Sequence, residues 1–108
     1  GYTILVSAGS SFAVLPALKP NLAYDIEKDL ATVNLSVTTP LVIVTSAALP
    51  YKRLSDLIAH GKERPKSLRY TSYGAGTSPH LATELFTSVA NIQAEAIPYK
   101  GSSDALLG

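Results

Sequence analysis

The stretch from Leu68 to Phe86 constrains the fold of this chain most strongly, because it contains the signals for a strand, a tight loop and a helix in direct succession. Leu68–Ser72 includes the β-branched and aromatic side chains that strands favour, and Tyr73–Ser78 is rich in turn formers. The apolar side chains that then recur at helical spacing are Leu81, Leu85 and Val89. The sequence therefore predicts a strand that ends in a glycine loop, from which a helix starts.

The start of this helix is marked by Ser78 and Pro79. Serine is a preferred N-cap residue, and proline fits the first helical turn, where its missing N–H would have had no partner. Gly74 and Gly76 let the backbone approach a ligand closely. The free N–H groups of a first helical turn favour negative charge. We therefore expect this loop to be a place where an anion binds.

The loop also fits other interpretations. A plain tight connection is the simplest alternative, since every α/β protein needs strand-to-helix connections. A Walker loop would end in Gly-Lys-Ser or Gly-Lys-Thr, and this loop does not. A Rossmann fingerprint would use Gly74 and Gly76 and would place its acid near Glu95, but Pro79 occupies the position of its third glycine. A nucleophile elbow would need a serine between the two glycines, and none is present.

The composition narrows the possible functions. The formal net charge is +1, and the nine Lys and Arg residues are scattered, which argues against a nucleic-acid partner. The absence of cysteine excludes disulfides and thiolate chemistry, and two isolated histidines argue against a zinc site. We expect no metal and no cofactor. A membrane span needs about 18 consecutive apolar residues, and no apolar run in the sequence is that long. No signal peptide is visible. The 108 residues have the length of one domain.

The first quarter of the chain alternates a strand-like run with short helical segments. Tyr2–Ser7 is predicted to be a buried parallel strand that runs into the loop Ala8–Ser11. A short helix is expected within Phe12–Leu18. Further on, Asp25 is expected to cap one helical turn over residues 26–30.

Two more strands are predicted on either side of Pro40. They are Thr32–Thr38 and Leu41–Thr45, both rich in β-branched residues. Proline cannot donate to a sheet ladder, so two strands with a bend between them are favoured over one continuous central strand.

The second half of the chain alternates helices and strands. A helix that ends before Pro65 is predicted, and its apolar stripe comprises Leu54, Leu57, Ile58 and Gly61. Ala94–Ile97 is the second strand after the glycine loop, and Ser102 or Ser103 is expected to cap the last helix. This alternation is typical of a parallel sheet whose loops gather at the carboxyl ends of the strands, where open α/β folds bind ligands.

Several short segments also match sequence motifs of a known family, and they occur along the chain in the same order as in that family. They are Gly1-Tyr2-Thr3, Tyr24-Asp25, Lys28-Asp29, Thr38-Thr39-Pro40-Leu41-Val42, Tyr70–Ser72 with Gly74, Gly76, Thr77, Ser78, His80 and Leu81, and Pro98-Tyr99-Lys100-Gly101-Ser102. The chain resembles the Bug-type extracytoplasmic solute receptors, which are the substrate-binding proteins of tripartite tricarboxylate transporters.

This resemblance implies a two-lobed periplasmic binding protein of the type II flytrap class, with parallel-type sheets flanked by helices. It implies that the chain is roughly the middle third of such a receptor, without the family's first strand and its glycine-rich loop. Residues 1–39 would belong to the first lobe, residues 40–46 would cross between the lobes, and residues 47–108 would begin the second lobe. The receptor would bind a small carboxylate in the periplasm and deliver it to membrane permease subunits.

The resemblance also implies a set of ligand-binding residues, since family members hold the ligand carboxylate largely with loop amides, hydroxyls and bound water. In the second lobe these are Ser72, Tyr73, Gly74, Gly76, Thr77 and Ser78, and in the first lobe they are Ala8, Gly9 and Ser10, in a loop that would face them. Tyr73 stands where small residues are usual, which suggests a narrower pocket or stacking on a flat ligand.

No catalytic group is expected. Ser78 and His80 lie two residues apart on a helix, so they do not share a face and do not form a nucleophile and its base. We expect His80 to hydrogen-bond the loop backbone near the helix start. The alternative function is a nucleotide-binding βαβ segment of an enzyme that uses Gly74 and Gly76. The apolar strands of the first half, with few helices to cover them, predict self-association of the isolated chain.

Overall fold

A computed structural model of the chain describes residues 2–108 and shows a mixed fold of helices and parallel strands. The chain divides into two compact units, one ending at Thr39 and the other starting at Pro40. The elements are α1 Gly9–Ala13, α2 Leu15–Leu18, α3 Ile26–Asp29, α4 Leu54–Glu63, β1 Leu68–Ser72, α5 Ser78–Ala90, β2 Ala94–Pro98 and α6 Ser102–Leu107. The three short helices belong to the first unit, and the other elements belong to the second.

The helices of the first unit follow the sequence signals in part, because α1 starts at Gly9, inside the predicted loop Ala8–Ser11, and that loop prediction is therefore wrong. The helix expected within residues 12–18 is split at Val14, and Pro16 lies in the first turn of α2, where proline is tolerated. Asp25 caps α3 as predicted, since its Oδ1 accepts hydrogen bonds from the N–H groups of Glu27 and Lys28 at 3.0 and 3.3 Å.

The prediction of three strands, at Tyr2–Ser7, Thr32–Thr38 and Leu41–Thr45, is wrong. None of these segments is part of a ladder in the described residues, and their apolar side chains are exposed, Ile4 by 86% and Val33 by 92%. Their composition indicates an extended backbone, but a strand exists only where a second strand accepts its hydrogen bonds. Composition therefore indicated a preference for strands but could not supply the pairing that a strand requires.

In the second unit, α4 packs on the start of the sheet through Gly61, which is buried. A Cβ atom at this position would lie 2.9 Å from Leu68 Cδ1 and 3.1 Å from Ile92 Cβ. The helix starts without a serine or threonine cap. Instead, Asp56 Oδ2 accepts hydrogen bonds from the N–H groups of Lys52 and Arg53, each at 3.0 Å.

The two strands form a parallel pair, as predicted, with Leu68 opposite Ala94 and Ser72 opposite Pro98. Alternate side chains point to opposite faces of such a sheet. Arg69 is paired with Glu95 on the exposed face, where their charged groups lie 3.9 Å apart.

Helix α5 connects the two strands, and its predicted position is confirmed apart from its cap. Thr77, not Ser78, is the N-cap, so Ser78 and Pro79 are the first two helical residues. The apolar stripe that signalled the helix lies on its exposed side, with Leu81 37%, Leu85 67% and Val89 79% exposed. The buried residue of α5 is the smaller Thr87. Helical periodicity predicted the element but not which face packs on the sheet.

The last helix also starts earlier than predicted, by one or two residues. Gly101 is the N-cap of α6, rather than Ser102 or Ser103. Both strand-to-helix connections thus leave β1 and β2 at the carboxyl edge of the parallel pair.

Candidate functional site

The candidate site is the loop from Tyr73 to Thr77, which joins β1 to α5 at the carboxyl edge of the two strands. The connection after β2 begins beside it, because the Tyr99 N–H donates a hydrogen bond of 2.7 Å to the Ser72 carbonyl. This is the edge of an open parallel sheet at which α/β proteins bind ligands.

Two glycines give the loop its shape. Gly74 has φ of +127° and Gly76 has φ of +80°, values that side-chain-bearing residues rarely adopt. The turn is closed by Thr77, whose N–H lies 3.4 Å from the Gly74 carbonyl and whose Oγ1 donates to the same oxygen at 2.8 Å. The Thr77 hydroxyl proton is therefore used within the loop, and the side chain fixes the turn in place.

Several backbone donors of the loop and of the first helical turn have no acceptor among residues 2–108. They are the N–H groups of Ala75, Gly76, Ser78 and His80. Pro79 has no N–H group. The first helical hydrogen bond of α5 is donated by the Leu81 N–H to the Thr77 carbonyl, at 3.0 Å. Free donors at the positive end of a 13-residue helix suit a negatively charged partner.

The six residues predicted for this site differ in accessibility. Ser72, at the end of β1, is only 2% exposed, so its hydroxyl is not open to solvent. Gly76 is buried as well, while Gly74 and Thr77 are half-buried. Tyr73, 40% exposed, and Ser78 are open to solvent.

The three residues predicted for the first unit do not lie in a loop. Ala8 is the N-cap of α1, and Gly9 and Ser10 are its first two residues. The turn is closed by a hydrogen bond of 3.0 Å from the Ser11 N–H to the Ala8 carbonyl. The hydroxyl groups of Ser7 and Ser11 bond each other at 3.2 Å.

His80 does not bond the loop backbone, so that prediction is wrong. Its Nδ1 atom is buried and has no hydrogen-bond partner among the described residues. The imidazole lies beside the Tyr70 ring, with ring centroids 6.3 Å apart. Tyr70 in turn donates a hydrogen bond of 2.6 Å to Glu84 Oε1.

The sequence patterns had assigned no role to Tyr70 or Glu84. Burial and the neighbouring Glu84 carboxylate raise the pKa of Tyr70 to about 12. Two spacings in the sequence could have indicated that Tyr70, His80 and Glu84 lie together. Tyr70 shares a strand face with Ser72, and Glu84 lies one helical turn after His80.

The serine and histidine side chains of this unit do not form a catalytic pair. Ser78 and His80 share no hydrogen bond among the described residues. Ser67 Oγ lies 3.1 Å from His60 Nε2, but the Ser67 hydroxyl donates to the Arg64 carbonyl at 2.7 Å. The Ser67 hydroxyl proton is therefore directed at the Arg64 carbonyl and not at His60.

Two surface pockets lie away from the loop. One, of about 590 Å³, is in the first unit and is lined by residues such as Phe12, Pro16 and Tyr24. The other, of about 510 Å³, lies beside Lys66 and Glu95, at the opposite end of the strands. Within residues 2–108, none of the helices has the length and apolarity needed to cross a bilayer.

The fold and the comparisons together define the class: an α/β protein of the periplasmic-binding type. The solved structure of the R. palustris protein Rpa4515 with adipate matches 56% of this chain and 20% of that one, with 38% identity and a TM-score of 0.54. The model of the tripartite tricarboxylate transporter family receptor matches residues 1–108. The chain belongs to this receptor family.

Curated relatives match over nearly the whole chain. Protein BugT of Bordetella pertussis is 38% identical over 99% of the chain, and a UPF0065 protein of the same organism is 36% identical over 99%. The chain spans about a third of the length of each of these relatives. The resemblance to Bug-type receptors is thereby confirmed. The family is one of transport receptors rather than enzymes.

Proposed function

We propose that this chain is part of an extracytoplasmic solute receptor, which captures a small carboxylate in the periplasm and delivers it to the membrane subunits of a tripartite tricarboxylate-type transporter. Membership of the receptor family supports the role of solute receptor. One observation supports a carboxylate as the ligand. In the glycine loop and the first turn of α5, several N–H groups have no acceptor among residues 2–108.

The ligand class follows from the donors that the loop offers. Residues 73–79 carry no acidic or basic side chain, so recognition there rests on N–H groups, hydroxyls and the helix end. Such a surface suits one carboxylate group of a small organic acid. The structure of Rpa4515 with adipate supports the inclusion of dicarboxylates among the candidate ligands.

Each predicted residue has a proposed role. The amides around Gly74, Gly76 and Ser78 bind the carboxylate, and the Ser78 hydroxyl assists them. Thr77 holds the turn through its bond to the Gly74 carbonyl. Tyr73 forms an exposed wall beside the loop, and Ser72 anchors it. Three more ligand-binding residues are proposed at the start of α1: Ala8, Gly9 and Ser10.

The proposed domain assignment follows the same family. Residues 1–39 belong to the first lobe, residues 40–46 cross between the lobes and residues 47–108 begin the second lobe. The division of the chain into compact units at Thr39 and Pro40 supports this assignment. The chain spans about a third of the length of each relative, which supports its being part of a longer receptor. The rest of that receptor would supply the remaining ligand contacts.

A thermal-shift panel on the full-length receptor tests the proposal. The panel contains succinate, glutarate, adipate, citrate, benzoate and glutamate, together with ATP and NAD. We expect at least one carboxylate to raise the melting temperature in a concentration-dependent manner, because a ligand that binds only the folded state stabilises it. A shift with a nucleotide and with none of the carboxylates would favour the nucleotide-binding alternative and overturn the proposal.

A further inference from the structure

Helix α5 carries a row of exposed aliphatic side chains on the side away from its buried residue. That buried residue is Thr87. Residues two apart in an α-helix lie about 200° apart around its axis, so Leu85 stands nearly opposite Thr87. Leu81 and Val89, each four residues from Leu85, share its side of the helix and are exposed with it. We call these three residues the outer row.

The rest of the helix offers little that would suit the outer row to water. A helix at a protein surface normally carries charged and polar side chains opposite its buried stripe. Glu84 is the only Asp, Glu, Lys or Arg residue in α5, and its carboxylate accepts the hydrogen bond from Tyr70. Aliphatic side chains on the side opposite a buried residue are instead typical of a helix that is covered on both sides.

The spacing and chemistry of the outer row indicate the kind of cover. Residues at i, i+4 and i+8 form one ridge on a helix, and such a ridge packs into the groove of a second helix. Docking surfaces for transient partners favour aromatic residues and arginine, and the outer row contains neither. A contiguous aliphatic row left open in a free receptor would also favour aggregation. A permanent cover within the same molecule therefore fits the outer row better than a transient partner does.

A receptor of the length of the curated relatives has the polypeptide to supply such a cover. The chain spans about a third of each relative, so about two thirds of that length lies outside it. The exposed fraction of the outer row increases along α5 from Leu81 to Val89. The uncovered area is thus greatest at the end of α5 remote from the glycine loop, where a covering helix leaves the candidate site open.

We propose that the outer row is an internal interface of the receptor, which binds an apolar helix from the part of the polypeptide outside residues 1–108. Helix α5 is then buried on both sides in the full-length molecule. The inference rests on the proposed function only in taking the chain as part of a longer receptor. It involves no ligand contact, so it can fail while carboxylate binding stands.

Photo-crosslinking of the full-length receptor tests this contact without changing the size of the side chains. Leucine is replaced by photo-leucine, a diazirine analogue, and mass spectrometry identifies the crosslinks of the α5 peptide that carries Leu81 and Leu85. We expect this peptide to crosslink, within monomeric receptor, to a peptide from outside residues 1–108 whose apolar residues recur at helical spacing.

The other occupants of the outer row would give different crosslinks. Crosslinks that join two receptor molecules would identify a second copy as the cover. Crosslinks confined to residues 1–108, or none at all, would leave the row open for a partner such as a membrane subunit of the transporter. Each of these results would overturn the inference.

Urea unfolding of the full-length receptor provides a second test. Leu85→Ala should raise the equilibrium constant for unfolding at least about 30-fold, which is the lower end of the range for truncating a buried leucine. Lys62→Ala, at an exposed position on α4, is the control and should change this constant by less than about threefold. An effect of Leu85→Ala as small as that of the control would overturn the inference, because a leucine open to solvent loses little on truncation.

Ligand binding is measured separately, by calorimetry of the wild-type receptor with the carboxylate selected in the thermal-shift panel. Carboxylate binding by a receptor whose outer row is uncovered would leave the proposed function intact and defeat this inference. A covered outer row in a receptor that binds no carboxylate would defeat the proposed function and support this inference.

Discussion

Tyr70 on β1 donates a hydrogen bond of 2.6 Å to Glu84 on α5, and these two residues stand on either side of the glycine loop along the chain. The bond ties the strand that leads into the loop to the helix that leaves it. Because the loop is only five residues long, fixing both flanking elements limits the positions that its N–H groups can take. The candidate site therefore depends on contacts outside the loop itself.

The first prediction concerns this bond and pH. Tyr70→Phe should lower the free energy of unfolding at pH 8 by about 0.5–1.5 kcal/mol, the usual net contribution of one hydrogen bond. The pKa of Tyr70 is raised from 10.0 to about 12 in the folded protein. The unfolded state therefore loses this proton first, and the stabilisation by Tyr70 is complete below pH 10 and declines between pH 10 and 12.

Urea unfolding of wild type and Tyr70→Phe at pH 8, 10 and 11 measures this effect. The difference in unfolding free energy between the two proteins should shrink as the pH rises. A difference that stays constant or grows over this range would contradict the assigned pKa direction.

The second prediction concerns the contact of α4 with the sheet. Gly61→Ala should lower the free energy of unfolding, because the added Cβ would lie 2.9 Å from Leu68 Cδ1 and 3.1 Å from Ile92 Cβ. Overpacking costs about 1–3 kcal/mol, and the helical preference of alanine over glycine returns about 0.5–1 kcal/mol. We expect a net loss of up to about 2.5 kcal/mol from these opposing effects.

Lys62→Ala is the control for this measurement, since Lys62 is an exposed neighbour on the same helix. Its unfolding free energy should stay within about 0.5 kcal/mol of wild type. A Gly61→Ala protein as stable as Lys62→Ala, or more stable, would show that α4 does not pack this closely.

The sequence predicted the second unit well because its signals are local. The helix from Leu54, the strand at Leu68 and the helix after Pro79 each follow from periodicity and turn chemistry within a few residues. The cap of α5 was misplaced by one residue, as Thr77 and Ser78 are both capable N-caps. The exposed position of Leu85 was not foreseen, because periodicity identifies an apolar face without showing what covers it.

The first unit and the His80 cluster could not be predicted for a different reason. Whether Tyr2–Ser7 or Thr32–Thr38 forms a strand depends on a pairing partner that is distant in sequence, and composition does not identify such a partner. The contact of His80 with Tyr70 joins residues ten apart on a helix and a strand. Only the packing of those two elements brings these side chains together.

The third prediction tests the loop geometry. Gly76→Ala should weaken carboxylate binding by full-length receptor about tenfold or more, because φ of +80° is costly for any residue with a Cβ. The strained loop would change the direction of the N–H groups at residues 75–78. Ala75→Gly, which removes a methyl group without imposing strain, is the control, and calorimetry with the selected carboxylate should give a far smaller loss for it. Equal affinities of Gly76→Ala and wild type would contradict the role of the loop.

The fourth prediction concerns the isolated 108-residue chain. Large apolar side chains in its first 45 residues are exposed, among them Tyr2, Val33 and Val42. We expect the chain to self-associate or to be loosely folded over this region, because unpaired extended segments and apolar patches favour contact with another chain. Residues 54–107, which contain the sheet and its helices, should be better protected from hydrogen exchange.

Light scattering after size-exclusion chromatography, together with hydrogen exchange, decides this point. A monodisperse monomer with amides protected uniformly from Tyr2 to Thr45 would mean that this region folds without any covering chain.

The central claim is that the glycine loop and the start of α5 bind a carboxylate, and amide NMR of the full-length receptor tests it most directly. The receptor is labelled with ¹⁵N and titrated with the carboxylate that gives the largest thermal shift. We predict that the amide resonances of Gly76, Ser78 and His80 are among those that move most, because their N–H groups gain an acceptor. Saturable carboxylate binding that leaves the resonances of residues 74–80 unchanged would contradict the account.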